Sequence, residues 1–152
     1  MASKKHFHKN SSIPLIHQKA ALCSAYRAAK CKIDRKKNEL FWLGTVRPTI
    51  FSKTYTVAVF YQLGNRPQIF VIGEELEKLE DAEFPHKFDI DVKNKIVQIC
   101  LYRYTEFTPS KLLANTIIPW TVEWLYFYEL WLTTGQWLGG GEHPQCNDIK
   151  DV

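Results

Sequence analysis

The twenty residues from Thr54 to Gly73 read TYTVAVFYQLGNRPQIFVIG, two extended runs separated by one turn. Tyr55, Val57, Val59 and Tyr61 alternate on one face, with Ala58 and Phe60 on the other, the period of a strand. "LGNR" has turn chemistry, and "PQIFVIG" resumes the extended pattern. Just upstream, Leu40, Trp42, Gly44 and Val46 alternate in "LFWLGTVRP" before Pro48. Three strand signals with short connections predict an antiparallel meander.

Outward from that centre the pattern changes. Ile13–Ala29 predicts a first helix, with Ser11 or Ser12 as its cap, Pro14 in its first turn and Leu15, Leu22 and Tyr26 at helical spacing. Cys31–Asp34 reads as a short strand that turns through "RKKNE". Downstream, "EELEKLEDAEFPHKF" is a charged connector, and "DIDVKNKIVQICLY" holds a small turn at "KNK" and a fourth extended run, Ile96–Tyr102. From Ser110 the period is helical: a short helix, then a longer one over Pro119–Thr133 with Gly135 as its stop. Trp120, Trp124, Phe127 and Trp131 form one stripe, widened by Leu125, Tyr128 and Leu132, and a helix so apolar must lie against a sheet. The expected class is α+β: an N-terminal helix, a four-stranded antiparallel meander and C-terminal helices covering one face.

The chain has 152 residues, enough for one domain and its core without a staple. Residues 1–12 are expected to be a flexible basic tail, 13–138 the folded domain and 139–152 a flexible glycine-containing tail. With 45% hydrophobic and 14% aromatic residues, disorder is excluded. The net charge is +4, and the early lysines and arginines do not interleave with aromatics as in a nucleic-acid motif. They read as a solvated face or as a docking face for an acidic protein. The start has no apolar secretory core, and Ile117–Leu132 is short for a membrane span and carries Glu123 and Glu129. A cytoplasmic protein with no membrane partner and reduced cysteines is expected.

The chemistry centres on Cys100. A thiol at the end of an apolar strand is either a small core hydrophobe or a nucleophile at a strand exit, and the local pattern leaves both open. A free thiol ionises by a few per cent at neutral pH, so a nucleophile here would draw on a neighbouring base or orienter. His86 is the candidate base or orienter. Cys23 and Cys31 read as packing residues, and His17 as a helix-surface residue. His143 and Cys146 lack the further ligands a zinc site takes, so no metal and no cofactor is expected. Trp120, Trp124 and Trp131 read as core. Gly139–Gly141 is no donor tail, because the chain runs on beyond it.

This order of elements resembles the ubiquitin-conjugating-enzyme fold. "LFWLGTVRP", "YTVAVFY" followed by "RPQIFV", "PHKF", "ICLY" and "EFTP" resemble, in order, that family's successive strands, its His-Pro-Asn motif, its cysteine segment and the Trp-Ser-Pro after it. The ending "TIIPWTVEWLYFYELWLTTGQWLGGGEH" is similar to that of the compact conjugating enzymes of short type II CBASS antiphage operons. The resemblance covers about Ile13 to Leu132. It implies a cysteine thioester carrier, Cys100, that takes the C-terminus of a cGAS/DncV-like nucleotidyltransferase and passes it to a target amine. It also implies docking through the first helix, whose Lys19, Arg27 and Lys30 would suit an acidic partner.

Two departures stand out. His-Pro-Asn is here Pro85-His86-Lys87, without the asparagine, so the oxyanion donor is unassigned, Asn94 being the nearest in sequence. The fourteen positions from His86 to Cys100 exceed the family's spacing and imply an insertion. Lys87 and Arg103 are candidates to attract a carboxylate, and Tyr102 and Tyr104 to shape the channel of an incoming tail. Two rival readings stay open: a catalytically silent binding module of this fold, and an unrelated Cys/His hydrolase or acyltransferase.

Overall fold

The computed structural model describes residues 11–101 and 106–140. Along the chain come α1 (Leu15–Ala25), β1 (Lys30–Asp34), β2 (Glu39–Val46), β3 (Tyr55–Gln62), β4 (Gln68–Ile72), β5 (Lys87–Asp91), β6 (Ile96–Ile99), a 3-10 turn (Leu113–Asn115) and α2 (Ile117–Thr134). The sheet has six strands in the order β1-β2-β3-β4-β6-β5, and every pairing is antiparallel.

The expected α+β class holds, and the central meander stands as read: Trp42 pairs with Val59, and Val59 with Ile69. The expected four-stranded count is corrected to six. β1 is the short strand foreseen near Cys31. β5 was hidden in "KFDID", where the alternate residues are charged and solvent-facing: Asp89 and Asp91 are exposed. That composition belongs to an edge strand, whose free side is protected by charge. β6 lies between β4 and β5, so the connector carries the chain past β6's place before the β5–β6 hairpin fills it.

Both helices contribute to one core on one side of the sheet. Trp42, Val57, Val59, Tyr61, Ile69, Val71, Val97 and Ile99 meet Leu15, Leu22, Trp124, Leu125 and Tyr128 there, all buried. Tyr55 of β3 meets the Tyr128 ring edge-on at 6.2 Å. The Tyr128 hydroxyl accepts from the Glu77 amide at 2.8 Å and donates to the Glu77 carbonyl at 3.0 Å, tying α2 to the connector. Gly44 is dictated by Trp42: a Cβ at Gly44 would sit 2.5 Å from the indole Cζ2.

α1 is shorter than its alanine content suggests. It ends at Ala25 because Tyr26 turns inward, its ring 5.6 Å from that of Trp42 and T-shaped to it. Tertiary packing overrides propensity here. No serine caps α1: Pro14 is the N-cap residue, and no side-chain cap bond is made. α2 starts two residues before Pro119, which therefore sits in its first turn, and stops at Gly135, whose φ of 72° is left-handed as expected.

Candidate functional site

Cys100 is the first residue beyond β6. Strand alternation sends Val97 and Ile99 into the core, and Cys100 follows half-buried. Its Sγ lies 4.0 Å from the Leu101 carbonyl oxygen, the outer limit for a sulfur contact.

The separation between His86 and Cys100 is closed by the β5–β6 hairpin. Lys87 pairs with Ile99, so the next pair outward is His86 with Cys100, and the Cys100 amide donates to the His86 carbonyl at 2.8 Å. The residues that lengthen the spacing are thus the two strands and their turn. The same carbonyl accepts from the Trp124 indole Nε1–H at 3.2 Å. One oxygen therefore joins the cysteine's strand to α2. His86 holds this position at a φ of 43°, a left-handed conformation that histidine visits more readily than most residues.

The His86 side chain is buried, at 1% exposure. Its ring packs on Trp137, centroid to centroid 4.7 Å. Trp137 in turn packs on Trp124 at 5.9 Å and Phe127 at 5.8 Å. The chain past α2 thus folds back over the histidine. Sequence reasoning saw this stretch only as part of a familiar ending, and a tryptophan beyond a helix stop was the available signal.

Lys87 is half-buried, and its Nζ donates to the Phe84 carbonyl at 3.1 Å. Lys87 lines a cleft of 460 Å³ together with Glu83, Phe84, Pro85, Trp131 and Trp137. The cleft opens beside the Pro85-His86-Lys87 step. Tyr102, Arg103 and Tyr104 lie outside the described residues, as do His143 and Cys146. Phe107, past them, packs on Tyr61 of β3 at 5.9 Å.

Asn94 is not at the thiol. It closes the β5–β6 turn, its Nδ2 on Asp91 Oδ2 at 2.7 Å and its amide on Asp91 Oδ1 at 3.0 Å. That turn is at the far end of β6 from Cys100. The hydrogen bonds from Asn94 hold the Asp91 carboxyl below the usual carboxylate value.

Of the other cysteines, Cys31 packs against the core, while Cys23 is exposed and is no packing residue. Burial, then the neighbouring Cys23 thiol, pushes Cys31 up to about 11. His17 is exposed, as expected. Trp124 and Trp131 are buried core and Trp120 is half-buried.

α1 is tied to the segment before α2 through Gln18, which is fully buried. Its Nε2 donates to the Lys111 carbonyl at 2.9 Å, and its Oε1 accepts from the Leu113 amide at 2.9 Å. A polar residue on an otherwise apolar helix face was the overlooked signal. No helix among the described residues is long and apolar enough to cross a membrane.

A helix before an antiparallel sheet, a cysteine at a strand exit after a Pro-His step, and a long apolar helix behind them define a ubiquitin-conjugating-enzyme-like protein. The chain belongs to the family of Type II CBASS E2 proteins, whose model matches residues 18–144. That span takes in His86, Cys100 and Trp137. No curated protein matches the chain.

Proposed function

We propose that the protein carries the C-terminus of a partner cGAS/DncV-like nucleotidyltransferase as a thioester on Cys100 and transfers it to an amine, within antiphage defence in the cytoplasm. The observation that carries this reading is the half-buried thiol at the exit of β6, held by its own amide on His86. Membership of the Type II CBASS E2 family supports the conjugating role.

In the forward step the Cys100 thiolate attacks the activated carbonyl of the partner's terminal residue. The carbon–sulfur bond forms and the activating group, a phosphate or nucleoside monophosphate carried on the carboxyl as a mixed anhydride, leaves as its anion. In the second step an amine attacks the thioester, the sulfur leaves as thiolate, and the amine's proton passes to a base. His86 is the nearest histidine in the hairpin and takes the role of orienter or base. Lys87, Arg103, Tyr102 and Tyr104 are assigned to binding the incoming tail.

The alternative is a silent binding module of the same fold, favoured by the lack of the family's asparagine beside His86. Intact mass under non-reducing conditions separates the two. Co-expressed with the partner synthase, the wild type should form a covalent heterodimer one water lighter than the sum. Cys100→Ala should keep the fold and lose the adduct. A noncovalent complex that is the same with and without Cys100 would favour the silent module.

A further inference from the structure

The geometry points to Trp137 as a positioning residue that fixes the imidazole of His86, the residue whose carbonyl holds the Cys100 amide, with Gly139 as the residue that lets the indole lie there. This rests on the proposed function only where it concerns transfer; the placement of the ring stands apart from it.

After Gly135 the chain doubles back. The Trp137 indole lies on the His86 ring at 4.7 Å and is backed by Trp124 at 5.9 Å. Its Nε1–H donates to the Gly140 carbonyl at 3.3 Å, which closes the strap on itself. Gly139 lies against the indole. A Cβ there would sit 2.9 Å from Trp137 Cε2 and Nε1 and 3.0 Å from Phe127 Cδ2. The indole packs on His86, Trp124 and Phe127, and a methyl group at Gly139 would collide with it, so the indole or the strap must shift. Trp137 also walls the cleft that Pro85 and Lys87 line on either side of His86. One side chain thus sets the histidine's ring and shapes the cleft next to it. An aromatic wall also excludes water from the ring.

The test uses the full-length chain and diethyl pyrocarbonate, which modifies accessible imidazoles, with His86 followed by peptide mass. His17, exposed in the native fold, serves as the internal control. His86 of the wild type should react slowly, because modification requires local opening. Trp137→Ala and Gly139→Ala should each speed modification of His86 about tenfold or more while His17 is unchanged. Trp137→Phe, which keeps a ring on the imidazole, should restore most of the protection. Thermal melts with retained cooperativity confirm that the variants fold. Where a thioester forms, single-turnover discharge to a free amine should slow in Trp137→Ala and recover in Trp137→Phe.

Unchanged protection of His86 in both Trp137→Ala and Gly139→Ala would overturn the assignment. So would faster modification with no rescue by phenylalanine, which would mean generic loosening of the strap. Absence of any thioester in the wild type would count against the proposed function and leave the labelling result to decide the role of Trp137.

Discussion

The His86 carbonyl holds the Cys100 amide at 2.8 Å, so the histidine's backbone reaches the thiol's strand. His86 makes that bond at a left-handed φ of 43°. His86→Asn should preserve the turn, because asparagine tolerates this conformation. His86→Val should not, since a β-branched residue there adds about 1–3 kcal/mol of strain. Urea melts of the two variants should differ in that order. Equal midpoints would mean that the backbone at residue 86 relaxes without cost.

Trp124 supplies the second donor to the same oxygen. Trp124→Phe removes that donor and part of the indole. It should lower stability by about 1–2 kcal/mol, the range for a lost buried hydrogen bond. Amide exchange at Cys100 should quicken in parallel. A variant as stable as the wild type would show that the indole contributes packing alone.

Asp91 gives the β5–β6 hairpin an acid sensitivity. Its folded carboxyl is held low by Asn94, so the stability it adds is present above the unfolded value of about 4 and is lost as pH falls through the lower folded value. In Asn94→Ala most of that contribution is gone at every pH. The gap between wild type and variant in melting temperature should therefore be present at neutral pH and narrow below about pH 4. A gap that widens on acidification would contradict the assignment.

Two thiols outside the site should separate by reactivity. Cys23 is exposed, and Cys31 is half-buried and pushed up to about 11. Iodoacetamide at mildly alkaline pH should label Cys23 first. The rate at Cys31 should keep climbing until the pH approaches that value, because the thiolate is the nucleophile. Peptide mass against time gives the order, and simultaneous labelling would refute it.

Gln18→Leu should be among the more destabilising single changes outside the apolar core. It strips partners from the Lys111 carbonyl and the Leu113 amide, costing about 2–4 kcal/mol by denaturant titration. A cost under 1 kcal/mol would mean that water replaces the amide, roughly at the price of one exposed hydrogen bond.

The parts legible in the sequence share one property: their signal is local. Tyr55 to Tyr61 alternate, Gly135 ends a helix and Trp124 recurs in a stripe, and each reports its own element. β5 was illegible because an edge strand with aspartates facing water carries little hydrophobic period. The early end of α1 was illegible because Tyr26 obeys Trp42, a residue far along the chain. At the site, the cysteine and histidine were readable as types. Their meeting depended on a hairpin register, and the cover over His86 depended on a strap whose glycine matters only once the indole is in place.

The Gln18 amide also bears on the order in which the chain assembles. Among the described elements α1 is made first, and its eleven residues are too few to be a stable helix alone. Its buried amide waits for Lys111 and Leu113, and the Ile13 amide for the Pro109 carbonyl at 2.8 Å. During synthesis, then, α1 emerges before α2 yet is seated late, and a nascent chain halted before Pro109 presents Leu15 and Leu22 to whatever attends the ribosome.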